Sequence, residues 1–206
     1  MNIISKQIEM SNTVAVFGDK FFLPSPAHFM SLFDHNGLKG SNFVDDTAMR
    51  LIVFEMPALK FRYVFENKRF RIEETGFRYP EESRCVVEMH RIIESLYKNV
   101  PTLAFGFNYD VIYKFDHIIP QREIMGNFIK GDKHDYIKDF GWQFTLEKEK
   151  GKKLETYFFK AVSPIELRVH TNFHFNDKAD FRSEEFQNKF EHYYKKIDEV
   201  FKDFAF

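Results

Sequence analysis

Eight histidines and 31 acidic side chains supply this 206-residue chain with material for acid–base or metal chemistry, and their spacing decides how much of it is available. His170 and His174, in the run His170-Thr171-Asn172-Phe173-His174, have the i, i+4 spacing that binds zinc from a helix. The run alternates apolar and polar residues, as a strand does. On a strand, positions four apart are separated by about 13 Å, too far to share an ion whose ligands sit about 2.1 Å away. Asp116-His117 and His134-Asp135 are adjacent acid–imidazole pairs, but no serine or cysteine beside them marks a nucleophile, and adjacency is not triad geometry. Glu88 and His90 fall on diverging sides of a helix and read as exposed polar residues. Asp45-Asp46 reads as a solvated loop pair rather than a Mg²⁺ ligand set.

There is no P-loop, no Gly-rich dinucleotide turn and no Gly-x-Ser-x-Gly elbow. The sequence therefore assigns no catalytic residue, no cofactor and no metal. An enzymatic alternative would place hydrolase-like acid–base chemistry at His170, His174 and Asp110, and it requires those side chains to converge in one pocket. The single cysteine, Cys85, lies on the apolar stripe of an expected helix and reads as a buried thiol. With 30 basic against 31 acidic residues, no global charge draws the chain to nucleic acid or an anionic membrane. Residues 1–10 show no signal-peptide pattern, and no window approaches 18 apolar residues. The reading is of a cytoplasmic protein with no membrane partner.

The elements that must position these residues follow from hydrophobic period. Thr13–Phe17 is a short strand, and Ser25 with Pro26 opens a short helix. Leu51–Met56, the alternating stretch through Phe61, Tyr63 and Phe65, and Arg69–Glu74 are strands. From Glu81 to Lys98 the spacing becomes helical, with Cys85, Val86, Met89, Ile92, Ile93 and Leu96 on one stripe. Leu103, Phe105, Phe107, Tyr109, Val111, Tyr113 and Phe115 then mark the clearest strand, with Gly106 a natural place for a bend. A short helix carries Ile124, Met125, Phe128 and Ile129 and stops at Gly131. A strand through Phe140, Trp142, Phe144 and Leu146 follows. The charged run Lys148–Lys153 is a hairpin tip, read as solvated rather than phosphate-binding. Leu154–Val162 and Ile165–Phe175 are strands, and Ser183–Phe204 is a helix capped by Ser183.

The fold class is thus α+β: a curved antiparallel sheet with helices packed on one face. Residues 1–206 form a single unit with possible halves at 13–98 and 102–206. Each half reads strand, short helix, strands, long helix. The run Phe65-Glu66-Asn67-Lys68-Arg69-Phe70, then Glu74-Thr75-Gly76, a helix, and Phe107-Asn108-Tyr109 resembles the hairpin, Thr-Gly turn, helix and Asn-bearing strand of the TATA-box-binding-protein family. That resemblance implies two duplicated halves in one curved sheet. It does not carry over promoter binding, because that family inserts phenylalanine wedges from an apolar concave face, whereas these phenylalanines fall on the phase that must face the helices.

The other phase of each strand is left open. It contains Lys60, Arg62, Arg69, Arg71, Asn108, Gln143, Arg168, His170, Asn172 and His174, a polar and mildly basic set suited to a recognition surface. Interleaved Glu73, Asp110, Glu147 and Glu166 weaken attraction for phosphate. A protein partner is expected, with nucleic acid as the alternative on the same face and a homodimer also compatible.

Overall fold

The computed structural model describes residues 2–46, 48–126, 141–181 and 184–203. In chain order the elements are β1 (Ile3–Phe17), α1 (Pro26–Met30), β2 (Asn42–Asp46), β3 (Leu51–Met56), β4 (Phe61–Glu66), β5 (Arg69–Glu74) and α2 (Cys85–Leu96). They continue as β6 (Thr102–Phe115), α3 (Gln121–Gly126), β7 (Gly141–Lys148), β8 (Lys153–Ser163), β9 (Glu166–Phe175) and α4 (Glu184–Asp203). The nine strands make one antiparallel sheet in the order β2-β3-β4-β5-β1-β6-β9-β8-β7. The two longest strands, β1 and β6, pair at its middle.

Alternation decides which face is buried. The rings of Phe54, Tyr63, Phe65 and Phe70 on one side of the centre, and of Phe107, Tyr109, Tyr157, Phe159 and Phe173 on the other, are fully or almost fully shielded. Phe29 of α1 stacks on Phe54 at 4.1 Å. From α4, Phe190 meets Phe107 edge-on at 5.5 Å, and from α2 Cys85 lies against the backbones of Ser11 and Ile72. These contacts all lie on one face. Each buried phenylalanine is worth about 1.5–3 kcal/mol by area, so the ring-rich phase is sufficient reason for the helices to settle there. Tyrosine hydroxyls fasten the layers: Tyr109 donates to the Phe190 carbonyl at 2.5 Å and Tyr113 to Asp198 at 2.6 Å.

Most expected elements are present, including the Ser25 cap, whose hydroxyl accepts from the His28 amide, and the tight turn at Asn67 and Lys68, both left-handed. Four readings change. β1 begins ten residues earlier than Thr13, because a bulge between Ile8 and Met10 breaks the two-residue period that would have shown it. Asp45 and Asp46 belong to edge strand β2, paired with Ile52 and Leu51, so they point to opposite faces. Glu88 is buried, not exposed: Tyr63 donates to it at 3.2 Å and Arg91 at 2.8 Å. Glu81 and Glu82 precede α2, which starts at Cys85. Phe128, Ile129, Gly131, the His134-Asp135 pair, Phe140 and the Ser183 cap lie outside the described residues.

Candidate functional site

The face opposite the helices is organised by strand register. One row crosses every strand: Asn42, Glu55, Arg62, Glu73, Asn12, Asn108, Asn172, Thr156 and Thr145. All nine are polar, and at strand spacing the row extends roughly 38 Å. The adjacent row is Val44, Val53, Val64, Arg71, Val14, Gly106, His174, Leu154 and Glu147. A hydrogen-bonding line therefore runs beside a mixed one, in which four valines and Leu154 stand with Arg71, Gly106, His174 and Glu147.

Neighbours within the polar row bind each other. Arg62 bridges Glu55 at 3.4 Å and Glu73 at 3.5 Å. Asn108 donates to Asn12 at 2.6 Å, and the hydroxyls of Thr145 and Thr156 are 3.0 Å apart. The side chain of Asn172, exposed between Asn108 and Thr156, makes no hydrogen bond among the described residues. Asn42, exposed at the β2 end of the row, is likewise without a side-chain hydrogen bond among the described residues.

An open hollow of about 310 Å³ lies over the middle of this face. Six residues expected from the sequence line it: Arg69, Arg71, Asn108, His170, Asn172 and His174. With them stand Met10, Asn12, Val14, Val16, Glu66, Glu73 and Gly106. Gly106 has a local reason to lack a side chain, since a Cβ there would sit 3.0 Å from the Phe173 carbonyl oxygen. The β1 contributors were missed because only Thr13–Phe17 alternates visibly. Carrying the phase of Val16 and Val14 back two residues to Asn12 would have found the central amide.

The remaining four residues lie elsewhere. Lys60 sits in the left-handed turn before β4, where its carbonyl accepts from the Thr75 amide. Arg62 is in the polar row but outside the hollow. Gln143 is on β7 opposite Phe158, and Arg168 pairs with Glu9 at 2.8 Å. Arg71 likewise pairs with Glu73 at 2.9 Å. Three of the arginines are thus matched by carboxylates, while Arg69 has no ion pair among the described residues.

The acid–base constellation forms only in part. His170 Nδ1 is 2.8 Å from Asp110 Oδ1, but His174 turns to Asn176 at 2.8 Å. No hydroxyl or thiol is bonded to His170 among the described residues. No group of three or more His, Cys, Asp or Glu side chains there is arranged to hold a metal ion, and no described helix is long and apolar enough to cross a membrane.

Comparison with protein-family models and with curated proteins gives no match for this chain.

Proposed function

We propose that this protein is a non-enzymatic binding or accessory protein that engages another macromolecule, a protein, through the open face of its sheet. The observation that carries this reading is the nine-strand polar row beside a row that mixes four valines and Leu154 with Arg71, His174 and Glu147. Amides, paired charges and aliphatic groups in adjoining lines complement the mixed chemistry of a protein surface. A nucleic-acid backbone instead calls for uncompensated cations, and Arg62, Arg71 and Arg168 already face Glu55, Glu73 and Glu9.

The resemblance to the TATA-box-binding-protein fold, and the internal duplication it implies, belong to the same proposal. They are supported by the strand order, which runs outward from the central pair as β1-β5-β4-β3-β2 on one side and β6-β9-β8-β7 on the other. A short and a long helix accompany each side. On this reading Asn12 and Asn108 are equivalent positions of the two halves.

The test uses positions whose side chains are free. Arg69→Glu with Asn172→Asp should abolish capture of partner protein from a cell extract while leaving the thermal midpoint unchanged. Capture that survives the double substitution sinks the proposal. Retention of duplex or single-stranded probes at low salt, weakening linearly on a log–log salt plot, would replace it with the nucleic-acid reading.

A further inference from the structure

Four charged side chains meet on the helix side of the sheet, where the β7–β8 hairpin passes beneath α4. Lys148 and Lys153 face each other across the root of the hairpin, and Lys196 reaches them from α4. All three ammonium groups converge on Glu155. Lys196 Nζ is 2.5 Å and Lys153 Nζ 2.6 Å from Oε1, and Lys148 Nζ is 3.1 Å from Oε2. The Glu155 side chain is fully shielded, those of Lys153 and Lys196 are 10% and 17% exposed, and that of Lys148 is 42% exposed. The cluster therefore opens to solvent on the Lys148 side.

Three positive charges stand against one negative. Among the described residues none of these ammoniums pairs with another carboxylate; the Tyr193 ring lies 4.4 Å from Lys153 Nζ and 5.6 Å from Lys196 Nζ. The Tyr157 hydroxyl, 3.4 Å from Oε2, is the other donor to Glu155. Partly buried like charges are weakly screened, so the cluster lacks negative charge. Burial, together with the neighbouring Lys148 and Lys153, holds Lys196 below its usual range despite the attraction of Glu155. The exposed tip adds Lys150 and Lys152, with Glu149 beside them and the Glu147 carboxylate close to Gly151. Each ammonium has three N–H donors and spends one on Glu155, whose carboxylate keeps the three chains converged.

We infer that Lys148, Lys153 and Lys196 form a binding site for a dianionic phosphate group, either inorganic phosphate or a small phosphomonoester, seated on the solvent side of Lys148 and Lys196. Lysine serves phosphate as a concentrated point charge, and a dianion matches the excess of two. The site lies on the face opposite the polar row, so it stands or falls independently of the partner-binding reading.

The test is calorimetric titration of the full chain with inorganic phosphate and with free O-phosphoserine, alongside thermal unfolding in phosphate and in chloride at equal ionic strength. Saturable heat and stabilisation beyond that in chloride are expected, and the tighter of the two ligands identifies the source. Lys148→Met should weaken binding at least about tenfold, whereas Lys150→Met at the tip should change it less than about twofold. Absence of heat and of excess stabilisation overturns the proposal. So does unchanged affinity in Lys148→Met, or an equal loss in Lys150→Met, which would assign the effect to the diffuse charge of the hairpin. If Lys148→Met does not fold, the comparison of phosphate with chloride on the unaltered chain decides alone.

Discussion

Asn108 Nδ2 donates a 2.6 Å hydrogen bond to Asn12 Oδ1 across the central β1–β6 pair. Both residues belong to the open face, yet they are only 9% and 3% exposed. Their amides are shielded by the side chains that rise around the hollow, so neither group has water as a full substitute for the other. Asn12→Ala should destabilise the protein by about 1–3 kcal/mol, because it leaves the Asn108 amide buried without its acceptor. Asn172→Ala, one strand further along the same row and exposed, should stay within about 0.5 kcal/mol. Equilibrium urea unfolding of the two variants measures the difference.

Glu88 joins α2 to β4 through Tyr63 and is clamped by Arg91, which also donates to the Leu32 carbonyl at 3.1 Å. Glu88→Ala removes the acceptor for a buried hydroxyl and a guanidinium together and should cost about 2–4 kcal/mol. Arg84→Ala, which breaks only a 3.4 Å pair from an exposed side chain, should cost under about 0.5 kcal/mol. The two denaturation midpoints test this ranking.

Burial alone would raise the Glu155 carboxyl, but hydrogen bonds from Lys153, Lys196 and Lys148 outweigh it and hold the group at about 2, below its ordinary 4.5. A carboxylate depressed on folding stabilises the folded state above its unfolded value and loses that contribution as pH falls through the folded one. Glu155→Gln should therefore be less stable at neutral pH by about 3–5 kcal/mol, since it strands three partly buried ammoniums. The gap between the unaltered chain and the variant should narrow as pH is lowered from 4.5 toward 2. A gap that stays constant over that range would contradict the assignment; unfolding curves at several pH values decide it.

Burial pushes the Cys85 thiol up to about 12, and the residue is fully shielded at the start of α2. Neither thiolate nor access is available to a reagent at mildly alkaline pH. Iodoacetamide should leave the folded protein unmodified at pH 8 and label one site per chain in denaturing urea. Labelling of the folded protein at the rate of a free thiol would show that the core opens at Cys85.

Where alternation ran unbroken, the chain announced its own structure. Phe105 through Phe115 every second residue could be stable only as a strand with one buried face, and the three- and four-residue spacing from Cys85 to Leu96 only as a helix. Those local periods also set the phase of Asn108, His170, Asn172 and His174, so much of the open face could be named in advance. Other features depend on contacts between residues far apart in the chain. The bulge near Glu9 reverses the phase of β1 and hid its first half, whereas the pairing of Asn12 with Asn108 exists only because β1 lies beside β6. The match of Arg62 to Glu55 and of Arg168 to Glu9 comes from strands brought side by side, whereas Arg71 and Glu73 are two apart on β5 and share a face by local alternation. Likewise, Lys148-Glu149-Lys150 and Lys152-Lys153 look like an ordinary solvated tip until α4 brings Lys196 over Glu155. Hydrophobic period is local and survives in a linear string. Charge pairing, shielding and convergence are distances, and distances were fixed only when the strands and helices packed.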